Sequence, residues 1–218
     1  MATITALSET GICNMALGRI GAKRINSIED ATDDKAEAIH CRLHYSLTRD
    51  SLLRSHWWRF ARGRKILSAN ATDEPLGEWD YAYDLPVDFL RMKLPWEGYV
   101  SGTTDQEYSY SLEGSQILSD RDEMEIQYIK RVTDPTKYDP LFVEVFVLTL
   151  AMKLIMPLSG AGKESVLMRN ELNIELQNLM AKVRTIDKQE TNTQGRIDTT
   201  TWNDAMRSGQ GVDSGKYY

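Results

Sequence analysis

The chain has 218 residues, 41% hydrophobic and 27% charged, with only 6 Pro; this composition excludes a disordered or collagen-like chain, and the length suits one domain or a core carrying an insert. Thirty-two acids against 26 bases give a net charge of −6, which argues against a protein that coats nucleic acid. Cys13 and Cys41 are too few for a disulfide framework, so reduced thiols are expected.

The opening residues lack a basic region followed by an apolar stretch, so no secretory signal is read there. A first helix is predicted over Leu7 to Ile20, with Leu7, Ile12, Met15 and Ala16 on its apolar side and Gly21 as its stop. A second is predicted to start after Thr32 as N-cap, with Asp33 and Asp34 in its first turn. Ala36, Ile39, Leu43 and Leu47 follow at spacings of three and four, which predicts the buried stripe of that helix. The helix is expected to run past His56 into the WWRF segment.

Helix-like sequence then gives way to strand-like sequence near Ile66. Trp79, Tyr81, Tyr83 and Leu85 alternate with Asp80, Ala82 and Asp84, the pattern of a half-exposed strand. Tyr108, Tyr110 and Leu112 alternate likewise, and Glu113-Gly114 reads as a tight turn into Gln116 to Leu118. Glu125 to Val132 reads as a further strand with Ile126, Tyr128 and Val132 on one side.

Asp139-Pro140 is a helix start: an Asp cap, then Pro where a missing N–H costs nothing. Pro157, Gly160 and Gly162 are expected to end this third helix. Its apolar run contains Glu144, Lys153 and Pro157, so a buried helix is expected in preference to a membrane span. A fourth helix is predicted from Lys163 to Lys188, with Met168, Leu172, Leu176, Leu179, Val183 and Ile186 in one narrow stripe.

From Gln189 onward Thr, Asn, Ser and Gly dominate and no periodicity remains. Trp202, Met206, Tyr217 and Tyr218, spaced along that polar tail, read as anchors for a partner surface, with a disordered end as the equal alternative. The expected fold is therefore α+β, mainly α: a four-helix bundle core with an inserted antiparallel β-rich domain and an extended C-terminal tail. The corresponding divisions are residues 1–65, 66–132, 133–188 and 189–218.

Charge is unevenly spread. Residues 42–65 hold seven bases and one acid, whereas residues 66–125 hold fourteen acids and three bases. Two differently used surfaces are expected from that contrast. The basic stretch RDSLLRSHWWRFARGRK interleaves Arg54, Arg59, Arg62 and Arg64 with Trp and Phe. Arginine stacks on rings and pairs carboxylates in two-pronged fashion, so this stretch suits nucleic acid or an acidic protein neighbour, the plainer alternative being a helix end with its rings in the core and its arginines in water.

Signals for catalysis are weak. His40 and His44 share a helix face, but a structural zinc needs four ligands. PLSGAGKES fails as a phosphate loop, since Pro157 stands where the first Gly belongs and Glu164 follows Lys163. Asp80, Asp84 and Asp88 lack an evident apolar pocket to raise a carboxyl pKa for sugar hydrolysis. No cofactor, metal site or catalytic residue is expected.

Four segments, in order, carry a resemblance: GICNMALGRIGA, RDSLLRSHWWRFARGRKIL, YDLPVDFLRM, and YIKRVTDPTKYDPLFVEVFVLTLAMKLIMPLSG. Together they cover roughly residues 10 to 165. The layout resembles the tail tubular protein A family of short-tailed bacteriophages, the head-to-tail adaptors also called gatekeepers or connectors. The resemblance implies a structural, non-enzymatic virion protein. It would form a homo-oligomeric ring, usually of twelve copies, in the short tail between the portal protein and a tail nozzle of the tail tubular protein B kind. Assembly would take place in the host cytoplasm. Double-stranded DNA would pass through the ring without sequence-specific binding, and no membrane would be involved. Arg54, Arg59, Arg62, Arg64, Trp202, Tyr217 and Tyr218 are then the candidate subunit and portal contacts. The alternative is a cell-wall-degrading virion enzyme or another connector.

Overall fold

The structure, a computed structural model, describes residues 7–70, 75, 77–93 and 110–190. The chain divides into two compact units, Met1–Met180 and Ala181–Tyr218. In the first unit α1 (Glu9–Arg19) and α2 (Ala36–Ser55) are followed by one 3₁₀ turn, Arg59–Ala61. Six strands come next: β1 (Arg62–Ser68), β2 (Tyr81–Asp84), β3 (Phe89–Lys93), β4 (Tyr110–Glu113), β5 (Gln116–Ser119) and β6 (Glu123–Lys130). The last elements are α3 (Pro140–Ser159) and α4 (Lys163–Glu190), which runs across the boundary into the second unit.

Local chemistry explains most of these starts and stops. Ser8 caps α1 by accepting from Gly11 N–H at 3.0 Å. Asp139 caps α3 by accepting from Leu141 N–H at 2.8 Å, with Pro140 in the first turn. Gly160 closes α3 at φ 72°, and Ser165 of α4 donates to the Ser159 carbonyl at 3.5 Å. PLSGAGKES is thus a helix-to-helix turn. Gly114, at φ 57°, makes the two-residue link between β4 and β5, where Glu113 pairs with Gln116.

The start of α2 differs from expectation. Thr32 does not cap it, because its N–H (3.0 Å) and hydroxyl (2.6 Å) both go to Asp30 Oδ1. Arg42 reaches back to the carbonyls of Asp30 and Asp33 and holds that loop outside the helix. The end of α2 differs too. Helix stops at Ser55, because Trp58 turns inward and donates from Nε1 to the Leu52 carbonyl at 2.9 Å. Strand begins at Arg62, ahead of Ile66.

The four-helix bundle with a β-rich insertion is not what forms. The fold is α+β, with four helices and two small three-stranded antiparallel sheets, ordered β1-β6-β3 and β2-β5-β4. Helix α3 packs against both α1 and α2. Over residues 163–180, by contrast, α4 buries only Ser165 and Leu172 and exposes Val166, Leu167, Met168 and Ile174. A stripe one residue wide cannot supply the fourth wall of a bundle, which needs apolar residues over about three positions in seven.

Helix α3 is long and apolar enough to cross a membrane by length and composition. Here it forms the centre of the helical core. Phe142, Val145, Phe146, Leu150 and Leu154 have no exposure. Trp58 meets Phe142 edge-on at 5.0 Å between ring centroids, and Tyr45 meets Phe146 at 5.0 Å. The two sheets share a second core of Leu67, Tyr83, Ile117, Met124, Ile126 and Tyr128. In the second unit α4 continues to Glu190 with Val183 buried.

Candidate subunit interface

The arginines expected to lie on one basic helix end occupy three elements. Arg54 is in the last turn of α2, Arg59 in the 3₁₀ turn, and Arg62 and Arg64 on β1. Two of the four hold the fold together. Arg54 Nη1 donates to the Leu90 carbonyl, and Arg91 Nη1 returns to the Arg54 carbonyl at 3.2 Å, so α2 is latched to β3. Arg62 donates from Nε (3.3 Å) and Nη2 (3.0 Å) to the Trp57 carbonyl and lies 5.9 Å above the Trp57 ring. Arg59 and Arg64 are exposed. Strand β1 is a sheet edge, and Arg64 and Lys65 guard it against pairing with a stray strand.

The ladder brings the two charged stretches onto one surface. Arg64 stands opposite Gln127, Ile66 opposite Glu125 and Ser68 opposite Glu123. Residues at this spacing share a face, so Arg62, Arg64, Ile66 and Ser68 lie beside Gln127, Glu125 and Glu123. Ile66 is 60% exposed in the middle of that face. The surface is basic toward α2 and acidic toward the β5–β6 turn.

A second surface is apolar. The stripe expected to be buried on α2 is on the outside: Ile39, Leu43 and Leu47 are 36%, 62% and 64% exposed. The buried side of α2 is Ala38, Cys41, Tyr45, Thr48, Arg49, Leu52 and Leu53. Both sets follow helical spacing. Met15, placed on the apolar side of α1 in sequence, is likewise exposed, whereas Cys13 and Leu17 are buried.

One group that sequence reasoning passed over is Arg49. It donates from Nε to Asp50 Oδ1 at 2.8 Å and lies 3.9 Å from Glu9, while Asp50 Oδ2 receives Arg131 Nε at 3.0 Å. Burial pulls the Arg49 pKa down, and its bond to Asp50 together with the charges of Asp50 and Glu9 more than offsets this, so the guanidinium stays charged. Burial raises Glu9 above the usual carboxylate range, against the pull of Arg49. The chain ties α1, α2 and the segment after β6 together.

The residues considered for chemistry are not assembled into a reaction centre. The rings of His40 and His44 stack at 6.2 Å, and among the described residues no three His, Cys, Asp or Glu gather where a metal could sit. Asp84 accepts from Asn70 and Gln116 on the sheet surface. Asp88 accepts from the Tyr128 hydroxyl at 3.1 Å; burial and then the Asp88 charge push that phenol up to about 12. Cys13 and Cys41 are free and buried. Tyr108, Trp202, Met206, Tyr217 and Tyr218 lie outside the described residues. Compared with protein-family models and with curated protein sequences, the chain matches none.

Proposed function

We propose that this chain is a structural head-to-tail adaptor of a short-tailed phage virion. Copies form a ring between portal and tail nozzle, with double-stranded DNA passing through it. The order and spacing of the four family-like segments support the reading. The observation that carries it furthest is that the chain leaves two unusual surfaces outside: an apolar stripe of Ile39, Leu43 and Leu47 on α2, and a sheet face bearing both signs of charge.

A ring contact is heterologous, one patch meeting a different patch on the next copy. Such a contact needs two complementary surfaces on one chain. The Arg64 side of the sheet and its Glu123–Glu125 side are of opposite sign, and charge complementarity of this kind fixes register more than affinity. The α2 stripe supplies the apolar area that the charges do not. An overall acidic chain also suits a DNA conduit, because phosphate contacts with bases drive non-specific sticking. Trp202, Tyr217 and Tyr218 are proposed as anchors on the portal.

Imaging virions that carry the protein with a gold label tests the assignment. Label at the vertex between capsid and nozzle is the expected result; label inside the capsid or at the distal tip overturns it. Hydrogen exchange over residues 189–218 tests the anchors: protection should rise on adding portal, and equal protection in both states overturns docking.

A further inference from the structure

A cleft of about 550 Å³ opens between α2, α3 and the first half of α4, within the size range of small-ligand sites. Its charged lining is all of one sign, Lys153 from α3 and Arg169 from α4, and His44 of α2 adds an imidazole that burial and Lys153 keep neutral. Among the described residues no carboxylate lines it. Asn170 and Asn173 add two amides on the α4 side, and Met152 and Met156 give a thioether floor.

Lys153 is the only base on α3, an element otherwise devoted to the core. It is half-buried, and neither it nor Arg169 makes an ion pair among the described residues. The side chains of Asn170 and Asn173 make no hydrogen bond among the described residues either. Cations gathered in a concave site without counter-charge repel one another, and an anion entering removes that cost. Lysine serves phosphate as a point charge, and the planar arginine fork grips two of its oxygens at once.

We propose that this cleft binds a small phosphate-bearing molecule, with the phosphate between Lys153 and Arg169 and its organic body on Met152 and Met156. A duplex is the poorer fit, since its backbone calls for a long row of bases on an open surface. Here two cations, Lys153 and Arg169, line one hollow beside the His44 ring. The inference is independent of the adaptor reading, because nothing in ring assembly requires a ligand at this place.

Calorimetric titration of the full chain at low salt tests it, with adenosine 5′-monophosphate, inorganic phosphate and a short DNA duplex as probes. The monophosphate should bind saturably, one per chain, and more tightly than inorganic phosphate if the thioether floor is used. Lys153→Met and Arg169→Gln should each weaken it roughly tenfold, the loss expected for one charged hydrogen bond. Lys163→Gln, on the same helix outside the cleft, should change nothing. Should Lys153→Met fail to fold, the exposed Arg169→Gln still decides. The proposal is overturned if neither phosphate probe saturates below about 5 mM, a limit near the weakest specific affinities. It is also overturned if binding is indifferent to Arg169→Gln, or if only the duplex binds.

Discussion

Arg49 Nε donates to Asp50 Oδ1 at 2.8 Å, from a side chain only 9% exposed. Removing the acid would leave a buried cation with Glu9, 3.9 Å away, as its one remaining ion-pair partner among the described residues. Breaking a buried pair from one side is costly, because the desolvated charge remains. Asp50→Asn should therefore destabilise the fold, by less than the roughly 3–5 kcal/mol of a fully buried pair because Asp50 is 26% exposed, read by urea denaturation. Arg49→Met, which removes the charge itself and keeps a similar stem, should cost less. Equal losses from the two would contradict the account.

His44 should titrate below the ordinary histidine value of 6.5. Burial is the first cause, followed by the charges of Lys153 and His40; Arg169 of α4 lines the same cleft. Each disfavours the imidazolium. The sign follows: the neutral ring's contribution to stability is complete above the unfolded pKa and is lost as pH falls through the lowered folded one. Ring-proton NMR titration should show the depressed midpoint, and Lys153→Met should move it upward. A midpoint at or above the ordinary value would contradict this electrostatic picture.

Leu43 and Leu47 are more than half exposed, so the folded monomer gains little from them. Leu43→Lys and Leu47→Lys should leave unfolding free energy within about 0.5 kcal/mol of the parent, the usual scale for surface changes. Both should reduce assembly with neighbouring copies. Arg64→Glu should behave the same way, since Arg64 is exposed. Arg54 and Arg62 are poorer probes, because each also holds a backbone carbonyl.

What could be read from sequence was what neighbouring residues decide. Asp139-Pro140 begins α3 because cap and proline act within one turn. Gly114 marks the hairpin because few other residues take its positive φ cheaply. What could not be read depended on distant partners. On α2 two opposite stripes both have helical spacing, and the one that is buried carries Thr48 and Arg49. Those polar groups are tolerated inside because Thr48 donates to the His44 carbonyl at 2.6 Å and Arg49 meets Asp50. The more apolar-looking stripe is left outside. The end of α2 was hidden for the same reason: Trp58 leaves the helix for a pocket against Phe142, a residue 84 positions away in sequence. The helical charge run likewise resolved into a helix end, a 3₁₀ turn and an edge strand, so its arginines do not form one continuous row.

Sedimentation velocity on the full chain, alone and with portal added, tests the adaptor reading most directly. The account predicts a closed assembly near 300 kDa, about twelve times the 24.9 kDa chain, formed either unaided or on the portal. It also predicts that Leu43→Lys reduces this species. A lone 24.9 kDa species under both conditions would contradict it.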